Sequence, residues 1–285
     1  MQTIRLNFYI IFQSGHNISV IIKETNVIIF SGTTINVGDY YCNSISGRAY
    51  VVKKGDLTRA KSQGITPIAV IFSTSTSSID QGHGWNNGYA MALKDANQNT
   101  LWSTISGRCI QYVQHTTLTE GQDFQEGYTE THYITDNSNY NENNCPAFFH
   151  AINYEASTPS PWLSSHWYLP SIGQWNTILR VLGKPSTSVI QQGVSGNTWE
   201  NMAATVGTHL NEYLSPVGNG NYTPFASDGR TATWYYSSSE YDATHQLNIA
   251  LWNDNRVYIF DGIDGSPARS KLSSPPAFVR SVIAF

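Results

Sequence analysis

The sequence predicts an α+β protein made of short strands and long ordered loops, with two or three helices set among them. Three observations carry this reading. Hydrophobic residues make up 40% of the 285 and aromatic residues 13%, enough to bury a large core and to exclude disorder. Gly (22) and Pro (11) punctuate the chain too often for a helical bundle. Apolar residues recur with a period of two in some segments and at helical spacing in others. The length suits one large domain or two small ones. Charged residues are only 13% and the net charge is −4, so nucleic acid is not an expected partner. No apolar run approaches the ~18 residues of a membrane helix, and no membrane span is expected.

Taken in order, residues 1–36 form an N-terminal β segment, with apolar clusters at Leu6–Phe12, Ile18–Ile22 and Val27–Phe30. Arg5 precedes an apolar run that Gln13, Ser14 and His16 interrupt, which makes a poor signal peptide. The polar stretch Ser31–Asp39 reads as a linker, and residues 37–285 as the main domain. Strand signals follow at Arg48–Lys53, Pro67–Phe72 and Gly88–Leu93. Thr135–Asn144 is a solvated loop, and Cys145-Pro146 opens a helix to about Tyr154 because proline suits a first helical turn.

Pro170-Ser171 opens a second helix, with Ile172, Trp175, Ile178, Leu179 and Leu182 on one face and Gly183 and Pro185 as its stop. Thr198–Tyr213 gives a third helical pattern through Trp199, Met202, Ala203, Val206 and Leu210. Leu247, Ile249 and Leu251 then alternate with Asn248, Ala250 and Trp252, and Val257 and Ile259 with Tyr258 and Phe260, as half-buried strands do. Asn253–Asn255 is the turn between them. Ala277–Phe285 is apolar almost throughout and reads as one interior strand.

Cys42, Cys109 and Cys145 are odd in number and widely spaced, so they are read as buried thiols. His83 between two glycines, with Asp80 nearby, reads as a structural turn, since the eight histidines show no metal-binding spacing. Trp102, Trp167, Trp175 and Trp234 suit either sugar-stacking platforms or core positions. Arg280 among apolar neighbours needs a carboxylate or carbonyl partner.

Trp167–Ser171 (WYLPS) with Gln174-Trp175, Tyr235–Glu240 (YYSSSE), Trp252, Val279-Arg280 and Phe285 resemble the C-type-lectin-like domains of bacterial and phage proteins. Gly82–Ala96 and Leu101–Ser103 resemble the leading part of a Bacteroides-type subgroup. The same fold occurs in the variable proteins of diversity-generating retroelements. The resemblance implies a C-type lectin-like fold whose C-terminal region, about 234–285, displays ligand-contacting variation biased to Asn, Asp, Tyr, His and Ser. It also implies that Glu240 is the partner of Arg280 and that most of Trp102, Trp167, Trp175 and Trp234 are core residues. From Tyr235 to Gly265, Asn, Asp, Tyr and His supply 12 of 31 residues, against 60 of 285 overall, which is a modest excess in the implied direction.

On that basis the expected ligand-binding surface comprises Tyr241, Asp242, His245, Asn248, Trp252, Asn253, Asn255, Tyr258 and Asp261. Tyr and Trp give amphipathic contact at low entropic cost, and Asn and Asp adaptable hydrogen bonds. Trp252-Asn253-Asp254 matches a calcium-ligand motif of C-type lectins. Its partner tripeptide, Glu-Pro-Asn or Gln-Pro-Asp, is missing, so no cofactor is expected and calcium is the one candidate.

The function expected is non-catalytic binding of a protein or glycan on a cell surface, with a phage virion or bacterial cell surface as the location. The N-terminal segment would serve attachment or oligomerisation, and a homotrimer would add avidity. A fixed adhesin or a carbohydrate-binding lectin-like subunit is the alternative. A formylglycine-generating-type oxidase stands third, because that fold relative needs a C-terminal cysteine pair and all three cysteines here precede Pro146.

Overall fold

The computed structural model describes residues 7–11, 19–23, 27–30, 32, 34–105, 124–136, 140–184, 191–193, 196–199, 202–252, 255–259, 269–271 and 276–285. The architecture is mixed α+β, with two large sheets and, among the described residues, six α-helices. Near the N-terminus, β1 (Asn7–Ile11) and β2 (Ser19–Lys23) pair as an antiparallel hairpin, in line with the first two apolar clusters.

The first sheet contains β3 (Ile28–Ile29), β4 (Tyr40–Ser44), β5 (Ala49–Val52), β6 (Ile65–Ser73), β7 (Tyr89–Ala92) and β16 (Val282–Ala284), in the order β16-β7-β6-β4-β5-β3. Thus Ile28 and Ile29, read as part of the N-terminal segment, pair with β5 of the main body. Successive residues of these strands serve opposite faces. Tyr40, Cys42, Val70 and Phe72 join the largest core, while Tyr41, Ala69 and Ile71 pack with Trp167, Ile283 and Phe285 on the other side. The sheet is therefore covered on both faces, which explains its nearly continuous apolar strands.

The second sheet contains β8 (Asn97–Thr100), β9 (Gln191–Gly193), β10 (Gly196–Trp199), β11 (Thr233–Glu240), β12 (His245–Leu251), β13 (Val257–Ile259), β14 (Arg269–Ser270) and β15 (Ala277–Val279). Its order is β8-β15-β11-β12-β13-β10-β9, with β14 also paired to β12. Leu247, Ile249 and Leu251 of β12 face the core. Each removes a side chain from water, worth about 1.5–3 kcal/mol. A one-residue slip of β12 would reverse all three, so their burial fixes the register with β11.

The helices are α1 (Leu57–Ser62), α2 (Ser78–Gly82), α3 (Gly127–Thr135), α4 (Pro146–Asn153), α5 (Ile172–Val181) and α6 (Ala203–Leu214). Helix α4 starts at the expected proline. Helix α5 carries a full capping box: Ser171 Oγ accepts from Gln174 N, and Gln174 Oε1 accepts from Ser171 N. It packs on both sheets, touching β6, β11 and β12. The indole of its Trp175 donates to Tyr236 O at 2.9 Å, and that of Trp102 to Ser237 O at 2.7 Å, so two large rings are buried without orphaned donors. Helix α6 approaches the 226–227 backbone closely: a Cβ on Gly207 would lie 1.9 Å from Ala226 O.

Three expectations are corrected. The third helix begins at Ala203, not near Thr198, because residues 196–199 pair with β9 and β13 as strand β10. The described residues hold six α-helices where two or three were expected, and α3 is one that no sequence signal marked. Its buried face is Gly127, Glu130, Thr131 and Ile134, which shows almost no apolar stripe. The C-terminal run is two strands in different sheets, β15 beside β11 and β16 beside β7, parted at Arg280-Ser281. Cys42 and Cys145 are buried free thiols as expected, and Cys109 lies outside the described residues.

Candidate functional site

The expected surface divides into two ends of one strand with a buried middle. At the first end, Tyr241–Thr244 connects β11 to β12, and Tyr241 N and Asp242 N both donate to His245 O. Asp242 Oδ1 accepts from Thr244 N (2.7 Å), His245 N (2.8 Å) and Thr244 Oγ1 (2.9 Å), and His245 Nδ1 lies 2.9 Å away. Partial burial raises the Asp242 pKa, but these bonds outweigh it and bring the carboxyl down to about 2. Tyr241, Asp242 and His245 are all half-exposed.

This loop stands on a buried cation. Lys271 N donates to Thr244 O at 2.9 Å, and Lys271 Nζ donates to Asp242 O at 2.8 Å and Ala243 O at 3.1 Å. The same ammonium pairs with Glu240 and lies over the Trp102 ring. Both members of the pair are buried. Glu240 is therefore the partner of Lys271, which corrects the expected Glu240–Arg280 pair. Arg280 instead binds Asp95, its Nε donating to Asp95 Oδ1 at 2.6 Å and its Nη2 to Thr223 O at 2.7 Å.

At the second end, Trp252 and Arg256 close the β12–β13 turn through Trp252 N to Arg256 O at 2.8 Å. The ring of Trp252 meets Trp234 edge-on at 4.7 Å between centroids and Tyr258 at 6.2 Å. Trp252, Trp234 and Asn255 are half-exposed. Asn255 adopts a left-handed φ of 66°, and its Oδ1 accepts from Ala204 N at 2.8 Å while its carbonyl accepts from Ala203 N. It thereby satisfies the open N–H groups at the start of α6, a task within the protein. Asn253 and Asp261, with the Asp254 of the calcium motif, lie outside the described residues.

Two further expectations are corrected. Asn248 lies on the same face of β12 as expected, opposite to Leu247, but it is completely buried, and Tyr258 is only 8% exposed. Alternation places a residue on one face or the other, but does not say whether that face meets water. The seven residues of β12 separate the two exposed ends by about 20 Å.

Sequence reasoning missed Glu130 and Lys271. Glu130 Oε2 accepts from Ser238 Oγ at 2.5 Å and Ser239 Oγ at 2.9 Å, and Ser239 Oγ accepts from Ile172 N. Ser238 and Ser239 thus form a polar seam tying α3 and α5 to β11, while Ser237 Oγ donates to Leu247 O of β12. Three adjacent hydroxyls in a strand with buried neighbours were the available signal.

Asp80 and His83 have structural surroundings. Tyr89 OH donates to Asp80 Oδ2 at 2.5 Å, and the His83 ring stacks on Trp85 at 4.8 Å. Burial raises the Asp80 pKa, partly offset by the Tyr89 hydrogen bond. Among the described residues no group of three or more His, Cys, Asp or Glu side chains is placed to hold a metal, and no helix is long and apolar enough to cross a membrane.

No family model matches the chain, and no curated protein does. Among solved structures, a crystallographically determined fimbrial protein from Bacteroides ovatus is similar in fold, with a TM-score of 0.57 and 15% sequence identity. The match covers 88% of this chain and 49% of that one, so this chain spans about half the length of the protein it resembles.

Proposed function

We propose that this protein is a non-catalytic, surface-displayed subunit of the adhesin type, built on a C-type-lectin-like scaffold. The observation that carries the reading is the shared architecture over 88% of the chain with a fimbrial protein. The interior supports it. Buried ionic and polar groups such as Glu240–Lys271, Arg280–Asp95 and Glu130 with its serines each cross-link elements, as suits a rigid load-carrying body.

A fixed adhesin is favoured over a freely diversified binding face. Asn248 and Tyr258 are interred and Asn255 holds α6, so exchange at these positions would disturb packing. Variation confined to Tyr241, Asp242, His245 and Trp252 remains compatible with the scaffold. Antibody labelling of intact producing cells, with fractionation of material released by shear, tests the proposal. The chain is expected in the sheared surface fraction; recovery only from the cell interior overturns it.

A further inference from the structure

A cleft of about 710 Å³ is lined by none of the described residues of the expected binding surface. Its size falls in the range of small-molecule sites. The β4–β5 hairpin and the adjoining α1–β6 turn, side by side through the β4–β6 pairing, form one part of its lining, and the 157–160 loop another. Hydroxyls and amides line it, including Asn43, Ser44, Thr66, Ser157 and Ser160. Lys61 and Lys94 also line it, whereas no Asp or Glu does, although the chain as a whole carries a net charge of −4. Lys94 forms no ion pair among the described residues.

Two exposed apolar side chains lie at or beside the cleft: Ile45 lines it, and Trp162, which does not line it, packs on Gly47, which does. Ile45 at the hairpin tip is 95% exposed, and Trp162 is 54% exposed. Trp162 packs on Gly47, whose Cβ position is 3.2 Å from the indole, and its amide donates to Gly47 O. The indole is therefore held in place rather than swinging free. A fixed, exposed aromatic ring beside hydroxyl and amide donors suits a ligand with both C–H faces and hydroxyl groups. A peptide strand fits less well, because β4 lies between β5 and β6, and β6 between β4 and β7, leaving neither edge open for a main-chain ladder.

We propose that this cleft binds an anionic saccharide, its hydroxyls met by the cleft walls, its carboxylate or sulfate by Lys61 and Lys94, and its ring face by Trp162. The proposal deepens the adhesin reading by naming a ligand class and rests on that reading for its biological setting.

Titration calorimetry on the full chain tests it with four probes: an oligogalacturonide, a sulfated oligosaccharide, a neutral galacto-oligosaccharide of equal length, and poly-glutamate. At least one charged saccharide is expected to bind, more weakly as salt rises, and about tenfold better than the neutral one. Lys94→Gln and Trp162→Ala are each expected to weaken it about tenfold, and Thr66→Trp to abolish it by filling the cleft. All three positions are exposed, so circular dichroism should report unchanged folding. Binding of neither charged saccharide overturns the proposal, as does binding that ignores these substitutions. Equal binding of poly-glutamate also overturns it, and would assign the cleft to an acidic protein. Since the purified chain is used, failure here leaves the surface location standing, and failure of the cell fractionation leaves the cleft standing.

Discussion

Arg280 and Asp95, 185 residues apart in sequence, form a buried ion pair in which the guanidinium also lies 4.2 Å from the Phe225 ring centroid. Removing one partner leaves the other charged in a site shielded from solvent. Arg280→Met is expected to cost about 3–5 kcal/mol, while Arg280→Met with Asp95→Leu should recover much of that. Urea denaturation of the single and double variants measures both.

Lys271 gives a parallel case with a local readout. Lys271→Met should destabilise by about 3–5 kcal/mol by stranding Glu240. It should also loosen the Tyr241–Thr244 connection, which loses the ammonium's two hydrogen bonds, to Asp242 O and Ala243 O. Amide exchange at Tyr241 and His245 should rise more than at Leu247.

Gly207→Ala sets helix propensity against packing. In an exposed helix the change would stabilise by about 1 kcal/mol. Here the new methyl would sit 1.9 Å from a backbone carbonyl that cannot swing aside. A net loss of about 2 kcal/mol or more is expected in thermal unfolding.

Asp80 predicts a pH dependence of definite sign. Its folded pKa lies above the unfolded value, so the native state binds more protons in the interval between them. The stability it contributes is complete below the unfolded pKa and is lost as pH rises through the folded one. Asp80→Asn keeps an acceptor for Tyr89 and cannot ionise. Its Tm relative to wild type should therefore climb as pH rises out of the ordinary carboxylate range; a constant difference would contradict the assignment.

Asn248 tests whether its face belongs to the interior. Its two amide atoms and those of Gln246 are buried with no hydrogen-bond partner among the described residues. Asn248→Leu should therefore leave stability unchanged or raise it by about 1 kcal/mol, whereas an exposed ligand-contact residue would show no such gain.

These cases show what the sequence could convey. Helices α4 and α5 were legible because Pro146, the Ser171–Gln174 box and the stripe Ile172, Trp175, Ile178, Leu179 are local signals. Strands β5, β6, β7 and β12 were legible for the same reason. Helix α3 was not, because Glu130 and Thr131 are buried to meet Ser238, Ser239 and Leu169 O, partners at least 38 residues away. The binding surface was only half legible: alternation put Asn248 opposite to Leu247, but which layer covers that face depends on distant chain. Arg280's partner was beyond reach on similar grounds, since two acids, Asp95 and Glu240, competed and only tertiary placement chose between them.

The division of residues 277–284 between both sheets bears on how the protein is made. Until this stretch has left the ribosome, β7 lacks its neighbour on one side and β8 and β11 have nothing to join them. Nascent chains halted before it would present bare ladder edges, the kind of surface that recruits other copies into aggregates.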